Sequence, residues 1–114
     1  MSEAGVVNTA EGASSSIYLP RLARIESVEE MTKTEKLFHL VQEDGTPLGH
    51  QPGQFVQVSV MGVGEAPISI CSAPDGKDTF ELCVRAVGNV TNALHRLEEG
   101  EFIGIRGPFG RGFD

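Results

Sequence analysis

The chain has 114 residues, with 9 Lys+Arg against 16 Asp+Glu and a net charge of −7. That length carries one core of ordinary domain size. The acidic balance excludes a binder of nucleic acid or of anionic membrane, since each needs a basic face. The two cysteines, Cys71 and Cys83, make neither a disulfide framework nor a metal knuckle.

Residues 1–17 read as a flexible tail, with Glu3, Glu11, the run Ser14-Ser15-Ser16 and no Lys or Arg. A secretory leader needs a basic start and an apolar run of about 7–15 residues. A membrane span needs about 20 apolar residues. Neither pattern is present in the sequence, so a cytoplasmic protein is expected.

Residues 18–114 read as one domain whose apolar residues recur with period two, the strand period. The first predicted strand is Leu22–Val28, with Ala23, Ile25 and Ser27 on one face. The second is Lys36–Val41, followed by a turn cluster at Glu43-Asp44-Gly45-Thr46-Pro47. The third, Gln54–Val60, alternates three valines with Phe55, Gln57 and Ser59. Met61-Gly62-Val63-Gly64-Glu65 is expected to break it. The fourth, Pro67–Ser72, is entered by a proline, which suits the first residue of a strand. The fifth is Thr79–Ala86, with Phe80, Leu82, Val84 and Ala86 on one face. Thr91–Leu97 changes period: Ala93, Leu94 and Leu97 have helical spacing. Phe102–Arg106 is the sixth strand, and the glycines and Pro108 after it read as loop. The expected fold is all-β: a six-stranded antiparallel Greek-key barrel with one short helix before the last strand. Closure is expected because it removes exposed edges.

Gly88-Asn89-Val90-Thr91 opens the predicted helix. Free N–H groups and the positive dipole end attract anions there, phosphate above all. Gly88 permits close approach, and the Thr91 hydroxyl can bind a phosphate oxygen or simply cap the helix. Arg85 is the nearest cation, and it also reads as an ordinary exposed strand arginine. Pro67-Ile68-Ser69 offers a strand backbone and one small hydroxyl to a flat heterocycle. Cys71 and Cys83 read as small buried hydrophobes. His39, His50 and His95 lack ligand spacing and read as rim histidines. No nucleophile–base arrangement or carboxylate pair stands out.

These residues make the chain resemble the flavin-binding barrel of the ferredoxin–NADP reductase superfamily, from about Tyr18 to Asp114. Pro52-Gly53-Gln54-Phe55-Val56 resembles that family's strand entry. Ala66-Pro67-Ile68-Ser69 stands where the family has arginine, any residue, an aromatic or aliphatic residue, then serine or threonine. Leu82-Cys83-Val84-Arg85, Gly88-Asn89-Val90-Thr91 and Leu97-Glu98-Glu99-Gly100-Glu101 follow its second half. Gly107-Pro108-Phe109-Gly110 resembles its link into a nicotinamide-nucleotide domain. Within the superfamily, Gly62–Ile70 is similar to hydrogenase gamma subunits and to the flavin subunits of anaerobic sulfite reductase and dihydroorotate dehydrogenase.

The resemblance implies FAD as cofactor, with electrons passing between NAD(P)H and the iron–sulfur cluster of a partner subunit. It implies Ser69 near the flavin N5, with Pro67, Ile68 and Ile70 supporting the ring and ribityl chain. Val84, Arg85 and Ala86 would line the nucleotide side, and Gly88, Val90 and Thr91 would cradle the pyrophosphate. A nucleotide-binding domain would follow residue 114. Ala66 departs from the family's arginine, which leaves Arg85 as substitute. Ile68 replaces a ring-stacking tyrosine, a loss that Phe109 or a partner would make good. The alternative is an assembly barrel whose flavin site is degenerate or takes FMN.

Overall fold

The structure, a computed structural model, describes residues 20–110. The tail and Arg111-Gly112-Phe113-Asp114 lie outside the described residues. Alternation becomes antiparallel strands: β1 (Arg21–Glu30), β2 (Glu35–Gln42), β3 (Phe55–Val60), β4 (Gly64–Ser69) and β5 (Thr79–Arg85). A short helix, α1 (Asn89–His95), then precedes β6 (Phe102–Phe109). The hydrogen-bonded order is β4-β3-β6-β1-β2-β5.

Inward residues of each strand make one core. Ala23, Ile25, Phe38, Leu40, Val56, Val58, Leu82, Val84 and Ile105 are fully buried in it. Removing that apolar area from water is the main stabilising term. β1 carries a register shift between Ile25 and Ser27 against β2. The extra residue reverses the face on which later side chains fall. Val28, and not Ser27, therefore packs against the core. In β6, Gly104 lets strands lie close, since a Cβ there would stand 3.2 Å from both Pro20 and Ser59.

The expected barrel is rolled but not closed by a full ladder. β4 and β5, the two ends of the order, meet only at the isolated bridge Ile70↔Leu82. Through that bridge β3, β4 and β5 run consecutively, and β6 returns beside β3. This is the Greek-key arrangement.

Several boundaries differ from the sequence expectation, three of them with a clear cause in the structure. β4 begins at Gly64 rather than Pro67, because Met61-Gly62-Val63 forms a tight hairpin in which the Val63 N–H donates to the Val60 carbonyl at 2.9 Å. Pro67 therefore lies inside the strand, which is tolerated because β4 ends the sheet order. α1 starts two residues earlier than Thr91, with Gly88 as its N-cap. β6 continues through the expected loop to Phe109, where pairing with Phe55 and ring contact at 5.8 Å hold it. Phe109 is thereby engaged with Phe55. Among the described residues no helix is long and apolar enough to cross a membrane.

Candidate functional site

From their one bridge the edges of β4 and β5 part toward the helix. Beyond that bridge no ladder joins β4 to β5, so Gly64–Ser69 on one side and Cys83–Arg85 on the other are strand edges without a strand partner across the seam.

α1 packs against β3, β4 and β5 on this side of the sheet. Ala93 and Leu94 are buried in the core beneath it. The His95 Nε2–H donates to the Val84 carbonyl at 2.7 Å, and Lys36 Nζ donates to the His95 carbonyl at 2.9 Å. These two bonds tie the helix end to β5 and β2. At the other end, Val90 Cγ2 lies 3.4 Å from where Gly64 would carry a Cβ. The helix mouth is thereby seated against the start of β4.

Thr91 shapes that mouth. Its Oγ1 accepts from the N–H groups of Val87 and Gly88, both at 2.9 Å, and donates to the Gly88 carbonyl at 3.2 Å. The hydroxyl is buried and its capacity is filled. It folds the loop and has no bond left for a ligand. Gly88 has extended φ, so glycine is not needed there for conformation. What its missing side chain leaves is room, since a Cβ at Gly88 would have no atom within 4 Å. No acidic residue stands in the first turn of α1 to repel an anion.

Ala66–Ser69 therefore lie on the β4 edge, Val84–Ala86 at the end of β5 and Gly88–Thr91 at the start of α1, three elements in contact with one another. Pro67, Ser69, Arg85 and Gly88 are exposed, and Ala66, Ala86 and Val90 are half-buried. Ile68 and Val84 are buried core residues, so their side chains support these edges from behind. The cations differ sharply. Arg106 is held by Glu65, with Nε to Oε2 at 2.9 Å and a second nitrogen to Oε1 at 2.7 Å. Ser59 Oγ also donates to Glu65 at 3.0 Å. The Arg106 and Ser59 hydrogen bonds hold the Glu65 carboxyl below its ordinary pKa. Arg85 makes no ion pair with another described residue and remains the available cation.

Both cysteines correct the sequence expectation: they are free and exposed, not buried. Each alternates with inward neighbours, Ile70 or Leu82 and Val84, so strand parity sends it outward. Although the residue is exposed, partial desolvation of its thiol by neighbouring atoms, then the Glu81 charge and Cys83, push the Cys71 pKa up. Cys83 is exposed on β5, next to the bridge residue Leu82. His50 is buried, not on the rim. His39 bridges Glu29 and Glu81, each at 2.7 Å. Among the described residues no group of three or more His, Cys, Asp or Glu is placed to hold a metal ion.

The family model described as oxidoreductase FAD-binding domain matches residues 22–113. The sequence is 46% identical over 99 residues to sulfhydrogenase 1 subunit gamma of Pyrococcus furiosus, covering 84% of this chain and 34% of that one. It is 38% identical over 93 residues to a probable dihydroorotate dehydrogenase B (NAD(+)) electron transfer subunit of the same organism, covering 82% and 34%. In three dimensions it superposes on phthalate dioxygenase reductase with a TM-score of 0.73 and 18% identity, covering 90% of this chain and 32% of that chain. That likeness concerns the fold. The chain spans about a third of the length of these curated relatives.

Proposed function

The chain belongs to the oxidoreductase FAD-binding domain family, and on that premise we propose that it holds FAD in the groove between β4 and β5. The full protein is then a cytoplasmic electron-transfer subunit working between NAD(P)H and an iron–sulfur partner. The observation that carries this reading is the split itself. Two strand edges and a helix mouth lie together there beside Arg85, which makes no ion pair with another described residue.

The residues fit the group. Ser69 offers an exposed hydroxyl on one lip, where it can bond the reactive edge of the ring. Pro67 lies beside it, and Ile68, packed in the core, keeps the lip rigid. Across the groove, Val84 holds β5 in place while Arg85 and Ala86 line the nucleotide side. Gly88 and Val90 border the pyrophosphate, and Thr91 keeps their loop in shape. Arg85 supplies the positive charge that Ala66 does not. When bound, the flavin supplies the redox chemistry; the protein positions and tunes it. None of these side chains needs to act as general acid or base. The nicotinamide nucleotide and the iron–sulfur cluster belong to a following domain and to partner subunits.

The test is reconstitution of the purified chain with FAD and FMN, followed by absorbance near ~450 nm and flavin fluorescence. FAD binding is expected, and Arg85→Ala is expected to weaken it about tenfold. Failure of both flavins to bind overturns the reading. Ala66 favours one second reading, an assembly barrel with a degenerate site, for which Arg85→Ala changes nothing.

A further inference from the structure

The Val84 carbonyl stands one residue before Arg85, the cation assigned to the flavin. β5 ends the sheet order, so beyond the bridge at Leu82 one of its edges has no neighbouring strand. At Val84 a side chain from another element supplies a donor instead. His95, the last residue of α1, places Nε2 2.7 Å from the Val84 oxygen. A carbonyl only accepts, so that nitrogen carries the proton. The imidazole is itself held. Its ring centre lies 6.3 Å from that of Phe38, a fully buried residue of β2. Its backbone carbonyl accepts from Lys36 Nζ at 2.9 Å. Lys36 is the residue paired with Val84 in the β2–β5 ladder. The three residues therefore close a ring of contacts: Val84 pairs with Lys36, Lys36 holds His95, and His95 holds Val84.

The consequence falls on Arg85. The Val84 carbonyl and the Arg85 N–H belong to one planar peptide group. On the other side of Arg85 the Ala86 N–H donates to the Thr34 carbonyl at 2.9 Å, and the N–H groups of Val87 and Gly88 both donate to Thr91 Oγ1. The backbone is thus pinned before and after Arg85, while the side chain is exposed. Glu35 is its ladder partner, yet the two make no ion pair. A free cation on a fixed backbone needs only its side chain ordered when an anion binds, and the rest of that cost has been met in folding.

We infer that His95 is a positioning residue for the flavin. Its Nε2–H fixes the peptide between Val84 and Arg85 and so acts on FAD affinity through Arg85, without touching the ligand. Lys36 supports it by holding the end of α1. The inference rests on the FAD reading given above. A histidine that merely stabilised the fold would change FAD affinity by the same factor whether or not Arg85 is present. A positioning histidine loses its effect on FAD when Arg85 is removed.

The experiment is a double-mutant cycle on the purified chain. FAD affinity is measured by flavin fluorescence for wild type, His95→Leu, Arg85→Ala and the double variant. His95→Leu is expected to weaken FAD about fivefold, the cost of ordering one further group on binding. In the Arg85→Ala background the same change is expected to have almost no effect. His95→Gln keeps an N–H donor and is expected to restore affinity to within about twofold of wild type. In the ligand-free protein the nitrogen-15 order parameter of the Arg85 amide is expected to fall from about 0.85 toward 0.6 in His95→Leu, but not in His95→Gln. Should His95→Leu fail to fold, Lys36→Met carries the test. It removes the bond to the His95 carbonyl, and a loss of about threefold is expected that vanishes without Arg85. A wild-type chain that binds no FAD overturns the reading of the site, and this inference with it. Wild-type binding that His95→Leu leaves unchanged, or weakens equally with and without Arg85, overturns the inference alone.

Discussion

The wall β3-β6-β1-β2 and the split between β4 and β5 are built from the same kind of strand but do different work. In the wall each strand is hydrogen-bonded on both sides. Its backbone is consumed, and its inward side chains are fully buried. At the split each strand has one partner, and the two edges share a single bridge. The backbone and small side chains there remain accessible, and α1 seals the space behind them. Stability is concentrated where the ladder is complete, and accessible chemistry where it is interrupted.

The largest expected effect attacks the wall. Phe38→Ala removes a fully buried ring from β2 and should cost about 3–5 kcal/mol, read as a lower urea midpoint. A loss below about 1 kcal/mol would contradict the core assignment. Next comes Thr91→Val at the split. It strips the acceptor from two backbone N–H groups in a half-buried loop. A loss of about 1–3 kcal/mol is expected, together with weaker FAD binding. If FAD affinity falls while the urea midpoint holds, Thr91 touches the ligand directly and its place in the loop is misassigned.

Glu65→Gln tests the contacts that tie the start of β4 to Ser59 and Arg106 of the wall. The folded carboxyl titrates below the unfolded one because Arg106 and Ser59 bond its charged form. Its stabilisation is therefore complete above the ordinary glutamate range and is lost as pH falls through the lowered folded pKa. Wild-type and Glu65→Gln stability curves should differ at neutral pH and converge in acid. Curves that stay parallel would rule out the pair as a source of stability. The smallest effect on folding is Arg85→Ala, within about 0.5 kcal/mol, because the residue is exposed and makes no ion pair with another described residue. Its consequence is confined to flavin affinity, so this variant separates the two regions most cleanly.

Much of the wall is legible by reading alternate residues. Val56, Val58 and Val60 alternate with Phe55, Gln57 and Ser59, and the structure buries those three valines. The start of β4 is not legible that way. Gly64 has no side chain to report a face, and only pairing with Val60 makes it a strand residue. The site is legible in part. Ser69, Arg85 and Gly88 stand out as residue types, yet nothing in their order places the edges of β4 and β5 side by side. The single bridge Ile70↔Leu82 does that.

Local pattern alone determined the all-antiparallel composition, the helix before the last strand, and the family motifs from Pro52 to Gly110. These depend on neighbours within a few residues, through period, turn chemistry and capping. Tertiary packing alone decided the incomplete closure, the register shift in β1 between Ile25 and Ser27 and the full commitment of the Thr91 hydroxyl. Each of these depends on groups far apart in the chain or on backbone geometry that residue type does not reveal. Whether a polar atom finds a partner is settled only when such groups are brought together.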